Sequence, residues 1–205
     1  MSIHPSSSFL ERRHASTHHP VFVTIPGRRF LAIDGMGEPG AVDFRLAAST
    51  LKETVDRVCA TLRHDHLPGP ATPAVPECCW WPSRPVALAD LPGAFMDRST
   101  WHWRQLTEVP AAAGEDIVLG AIDETRRRAG RDTALLRPVS FIEGTVAQLL
   151  HVGGYDGEPA VVAKLLQVIE DEGCALAGPL HILQLADPEH VPAGRGRSIV
   201  RQPIA

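Results

Sequence analysis

Apolar positions along the 205-residue chain fall into two similar series. Arg28 to Asp34 is a short apolar run with Phe30, Leu31 and Ile33, closed by Gly35, Gly37, Pro39 and Gly40, which predicts a strand and a turn. Phe44, Ala47, Leu51, Val55, Val58, Cys59 and Leu62 then recur at spacings of three and four, the stripe of an amphipathic helix lying on a sheet. Prolines between His64 and Pro70 break the helical pattern. Strands follow at 74–81 and 100–107, separated by a loop with Pro82, Pro85 and Pro92. Residues 115–129 read as a helix opened by Glu115 and Asp116, closed by Arg126, Arg127 and Arg128, and stopped by Gly130.

The last third repeats the scheme. Residues 145–152 predict a strand and 153–157 a turn. A helix over 158–172 follows, with Val162, Leu165, Leu166 and Ile169 inward, Asp156 as N-cap and Gly173 as stop. Strands at 180–186 and 197–203 end the chain. Gly-Glu-Pro stands between strand and helix in both series, at Gly37-Glu38-Pro39 and Gly157-Glu158-Pro159. The pattern predicts an α+β fold of two tandem β-α-β-β modules with pseudo-twofold symmetry, at about 28–110 and 136–205, joined by the 115–129 helix. Its antiparallel sheet carries helices on one face and a central cleft. Residues 1–27 read as a flexible tail.

Composition narrows the function classes. A net charge of −4 supplies no excess of cations to neutralise phosphates, so nucleic acid is not an expected partner. No apolar stretch approaches bilayer length, and the N-terminus lacks the apolar core of a secretory signal, so a cytoplasmic protein with no membrane partner is expected. Cys59, Cys78, Cys79 and Cys174 include no pair at zinc-gripping spacing, so no metal is expected and the thiols read as core. A nucleophile elbow, a Walker loop and a dinucleotide fingerprint are all missing from the sequence, and no cofactor is indicated.

Chemistry concentrates where the aromatics do. Trp80, Trp81, Trp101 and Trp103 lie within two neighbouring strands, and Trp101 and Trp103 share a face by the two-residue period. They read either as concentrated core or as the flat walls of an apolar pocket. Glu77, just ahead of them, is a candidate acid, base or cation partner beside aromatic walls. His151, at a strand end before Tyr155, and His181, opening a later strand, are proton carriers or satisfied structural residues.

With these features in place, the motifs are similar to those of the GyrI-like small-molecule-binding domain family, stand-alone members in particular. The resemblance rests on Arg29 to Gly35 with Gly37 and Pro39, on Val75-Pro76-Glu77 before Trp80-Trp81, and on Trp101-His102-Trp103. It continues through Glu143-Gly144, Gln148, His151 to Pro159, Asp187-Pro188, Pro192 and Arg201-Gln202-Pro203. It implies tandem modules around a cleft for bulky aromatic compounds. Trp80, Trp81, Trp101, Trp103, Phe44, Gln148, His151, Ile182 and Gln184 are the expected ligand-binding residues. Regulators of the family carry a DNA-binding segment ahead of this domain, for which 27 residues are too few. Some stand-alone members resemble hydrolases that open the cyclopropane ring of DNA-alkylating natural products, and here the catalytic candidates are Glu77, Tyr155 and His181. The late strand departs from the family pattern His-Glu-Ile-Tyr-Leu: it reads His181-Ile182-Leu183-Gln184-Leu185, without the acid and the phenol. Binding of a hydrophobic aromatic small molecule is therefore the first expectation and hydrolysis the alternative. A gyrase-inhibitor type of protein interaction comes third, because the acids are dispersed.

Overall fold

A computed structural model describes residues 4–5, 15–70, 74–129, 135–186, 191–192 and 194–205. Two modules of the expected order are present. In the first, β3 (Arg28–Met36) leads to α1 (Val42–His64), β4 (Glu77–Pro82), a short α2 (Leu91–Ala94) and β5 (Trp101–Glu108). α3 (Glu115–Ala129) links it to the second, in which β7 (Gly144–Val152) leads to α4 (Glu158–Asp171), β8 (Leu180–Ala186) and β9 (Arg197–Pro203). Each module is preceded by a strand of its own, β2 (Val21–Ile25) and β6 (Arg137–Phe141), and β1 (His4–Pro5) is a two-residue piece beside β2.

The sheet order is β1-β2-β7-β9-β8-β4-β5-β3-β6, antiparallel apart from the β1 piece. β4 and β8 pair at its centre, so the modules meet there and the strand order reads alike from both sides. Each leading strand crosses to the other module, β2 onto β7 and β6 onto β3. This crossing bends the sheet. β2 and β3 stand six strand positions apart, ~29 Å if the sheet were flat, yet three peptide steps of 3.8 Å join Ile25 to Arg28, ~11 Å at most. The same holds from Phe141 to Gly144, so the sheet curls until its ends come together. The two connections touch, and a Cβ at Gly27 would lie 2.9 Å from Ile142.

Both leading strands correct the sequence reading. Val21, Val23 and Ile25 alternate with period two, and Val23 and Ile25 are buried with Val146 in a small apolar cluster, so 21–25 is a strand of the sheet rather than part of a tail ending at 27. Ser16 is anchored as well, its carbonyl accepting from the amide of Leu150. β6 contains Pro138, which reads as a strand breaker; it is tolerated because β6 is the sheet edge. Asp156 makes no cap: α4 starts after a 3-10 turn at Tyr155–Gly157, with Gly157 as N-cap. Gly130 and Asp187-Pro188 lie outside the described residues.

Helices cover one face. Leu51, Val55, Val58 and Leu62 of α1 and Val162, Leu165, Leu166 and Ile169 of α4 form one core with Leu31, Ile33, Trp80, Trp101, Trp103, Leu180, Ile182 and Val200 of the sheet. α3 packs beside α1, where Thr54 Oγ1 meets Thr125 Oγ1 at 3.2 Å and Arg57 pairs with Glu124 at 3.1 Å. The indoles interleave with Phe44 and Phe95: Phe44 stacks on Trp80 at 5.5 Å, and Phe95 meets Trp101 edge-on at 5.2 Å. Gly35 makes room for the Trp103 ring, since a Cβ there would sit 2.2 Å from Cζ2. The ring is fully buried and cannot retreat, so Gly35→Ala is expected to cost about 1–3 kcal/mol, read as a lower urea midpoint at unchanged slope.

Candidate functional site

On the face without helices, Phe30, Cys79 and Leu106 are buried although no helix covers them, which identifies this face as the inside of the curl. Its strand positions also carry charges. Glu77 follows the same alternation as Cys79, which pairs with His181, and His181 pairs in turn with Arg201. His181 Nδ1 is 2.5 Å from Glu143 Oε1, and its Nε2 is 3.2 Å from Glu77 Oε2, a charge contact rather than an aligned hydrogen bond. Arg201 donates from Nη1 to Glu143 at 3.1 Å and from Nε to Gln148 at 2.7 Å. Arg28 Nη1 lies 3.7 Å from Glu77 and donates to Glu108 at 2.7 Å. Three cations, Arg28, His181 and Arg201, thus face three carboxylates, Glu77, Glu108 and Glu143, across both modules.

Burial alone would lower the pKa of His181, but Glu143 and Glu77 overcome it and hold the imidazolium at about 9. Burial would raise Glu143, yet His181, Arg201 and Arg28 bring it down to about 2; Glu77 is lowered by His181, Arg28 and Arg201 against the same penalty. A protonated His181 between two ionised acids is poised to hold charge in place, not to exchange protons. Burial pushes the thiols of Cys78 and Cys79 well above their usual value, so they are inert.

Two cavities open elsewhere. The larger, of about 1090 Å³, runs along α1 and is walled by Phe44, Ala48, Val55, Pro76 and Val109, with Tyr155 as the contribution of the second module. Arg45, Lys52 and Arg63 face Asp56 and Glu108 around it. The smaller, of about 580 Å³, lies at the end of β4 and is the one lined by Trp80, Trp81 and Trp101.

The expected site residues therefore divide. Phe44 and Tyr155 line the large groove, while Trp80, Trp81 and Trp101 line the small cavity. Trp103 lines neither and is core. Glu77, His181 and Gln148 belong to the charged interior: of the two residues expected to work with Glu77, His181 stands beside it and Tyr155 is on the groove. The acids that border the groove are Asp56 and Glu108. His151 is structural, its Nε2 2.8 Å from the Gly154 carbonyl and its ring filling the space a Cβ at Gly157 would take. Ile182 is buried in the helix-side core, and Gln184 donates to the Ala186 carbonyl at 3.0 Å.

One pair was not anticipated from the sequence. Arg98, from the loop before β5, donates to Glu158 at 3.1 Å, with its guanidinium 5.0 Å from the Trp80 ring and 4.3 Å from that of Phe95. Both residues are buried and the pair ties the modules on the helix side. The Gly-Glu-Pro of the second half was the available signal, since its Glu158 is the first helical residue while Glu38 of the first half stays exposed. Among the described residues no group of His, Cys, Asp and Glu forms a metal cluster, and no helix is long and apolar enough to cross a membrane.

No protein-family model matches the sequence, and no curated protein does so significantly. Solved structures do match. A conserved protein from Listeria innocua superposes with a TM-score of 0.80 at 25% identity, covering 95% of this chain and 96% of the other. A hydrolase from Listeria innocua gives 0.76 at 23%, covering 96% of each chain. The C-terminal domain of EcmrR gives 0.60 at 10%, over 91% of this chain and 97% of that domain. The likeness to the last two is one of fold.

Proposed function

We propose that this protein is a relative of the GyrI-like small-molecule-binding domains and takes up bulky, largely apolar small molecules in the groove beside α1. The observation that carries this reading is the groove itself: about 1090 Å³ is at the upper end of what drug-sized ligand sites occupy. Its walls are mainly aliphatic and aromatic, as such sites require, with Gln105 and Thr107 on the floor as polar groups that orient a ligand. Gln105 Nε2 donates to the Phe44 carbonyl at 2.8 Å, which fixes the amide and the start of α1 together. The rim charges nearly balance, which favours neutral compounds over highly charged ones.

The test uses N-phenyl-1-naphthylamine, a neutral probe whose emission rises in apolar surroundings. Wild type is expected to bind it saturably. Ala48→Trp, which fills the groove from the outer face of α1, is expected to weaken binding at least tenfold while leaving the far-UV spectrum unchanged. Equal affinity of that folded variant and wild type would overturn the reading.

A further inference from the structure

The small cavity at the end of β4 shares no lining residue with the groove. Trp80, Trp81, Pro85, Leu91, Trp101 and Leu180 give it flat apolar walls, and its volume of about 580 Å³ falls in the middle of the range for small-molecule sites. Its two long polar side chains are Gln202 and Arg104. Gln202 Nε2 already donates to the carbonyls of Gly178 and Pro203 at 2.9 and 3.0 Å. Among the described residues of the lining, Arg104 therefore carries the only charge.

That charge is in excess. Arg104 donates to Asp34 from Nε at 2.7 Å and from Nη2 at 3.1 Å, and Arg137 donates to the same carboxylate from Nη2 at 2.6 Å. Among the described residues, these two guanidiniums and one carboxylate leave one positive charge uncompensated. The Asp34 pair leaves Nη1 of Arg104 outside it, and a guanidinium has five N–H groups for planar, two-point recognition of an oxyanion. Along the same strand face, Trp81 stacks on His102 with ring centroids 5.8 Å apart and planes at 20°, which holds an indole flat beside Arg104.

We infer that this cavity is a second binding site, selective for planar aromatic monoanions of the aryl carboxylate class. The rings of such a ligand lie among Trp81, Trp101 and the prolines, and its carboxylate meets the free edge of the Arg104 guanidinium. The inference stands apart from the groove reading and does not depend on it.

The experiment titrates the protein with 2-naphthoate, 2-naphthalenemethanol and 2-naphthylmethylamine, three compounds of nearly one shape and different charge, followed by tryptophan quenching and calorimetry. Naphthoate is expected to bind at least tenfold more tightly than the amine, with the alcohol between them. Arg104→Gln is expected to remove this preference by weakening naphthoate about tenfold and leaving the alcohol within twofold, while Arg104→Lys retains most of it. Leu88→Trp, a change at a half-exposed lining position, is expected to block all three. Ala48→Trp, which fills the separate groove, is expected to change none of them. Equal binding of acid and amine, or an unchanged preference in folded Arg104→Gln, would overturn the inference. So would loss of naphthoate binding in Ala48→Trp, which would assign the compound to the groove instead.

Discussion

Glu143→Ala is expected to destabilise the protein by about 3–5 kcal/mol, the usual consequence of removing one partner from a buried ion network and leaving its counter-charges unpaired. Glu143 accepts from Arg201 through one oxygen and faces His181 through the other, and all three side chains are essentially inaccessible to solvent. Without it, Arg201 loses its carboxylate acceptor at 3.1 Å, and His181 loses its 2.5 Å contact and retains Glu77 at 3.2 Å. For a chain of this size the loss corresponds to a drop in Tm of roughly 6–20 °C. Glu143→Gln retains hydrogen-bonding capacity and is expected to lose less. An exposed pair supplies the control: Lys52 and Asp56 sit one helical turn apart in water, so Asp56→Ala is expected to change stability by no more than about 0.5 kcal/mol. Urea denaturation at pH 6 checks all three. A Glu143→Ala loss below that of the exposed control would show that water compensates the charges and that the network is not what holds the curl.

This network also marks where the sequence stops being legible. Both β-α-β-β modules can be read from periodicity because each strand and helix there is long enough for its apolar stripe to repeat. β2 and β6 are five residues each, one ahead of the first module and one holding Pro138, and their identity depends on partners more than a hundred residues away. The indole cluster is visible in sequence, but not its division. Adjacent residues of a strand face opposite sides, so Trp80 joins the helix-side core while Trp81 stacks on His102 within the curl. Glu77 stands out in the sequence as a carboxylate just ahead of the tryptophans, yet which side of the sheet it occupies depends on register with β8. That register places it against His181 rather than beside Tyr155. The groove escapes sequence reading for the same reason, since α1, the 109–112 segment and Tyr155 are brought together only by the curl.

The network has a pH signature with a definite sign. His181 has a folded pKa of about 9 against 6.5 for the free side chain, so its contribution is fully present below pH 6.5 and is lost as pH rises to 9. Glu143, at about 2 against 4.5, contributes fully above pH 4.5 and loses its share as pH falls to 2. Maximum stability is therefore expected between pH 4.5 and 6.5, with both limbs reporting largely the same imidazolium–carboxylate contact. On the acid side Glu158 works the other way, because burial outweighs Arg98 and His151 and raises its pKa, so the fold takes up a proton there readily and offsets part of the loss. The alkaline side is cleaner. Cys78 and Cys79 lose stability to ionisation of the unfolded chain only as pH approaches and passes their ordinary value of 9, leaving the window from 6.5 to about 8.5 to His181. Across the full shift the decline is on the order of 3 kcal/mol, seen as a falling urea midpoint. His181→Asn, if it folds, is expected to be less stable at pH 6 and to show a flat profile over that window. A wild-type midpoint that stays level from pH 6.5 to 8.5 would mean that His181 is neutral in the fold, and that Glu77 and Glu143 draw their compensation from Arg28 and Arg201 alone.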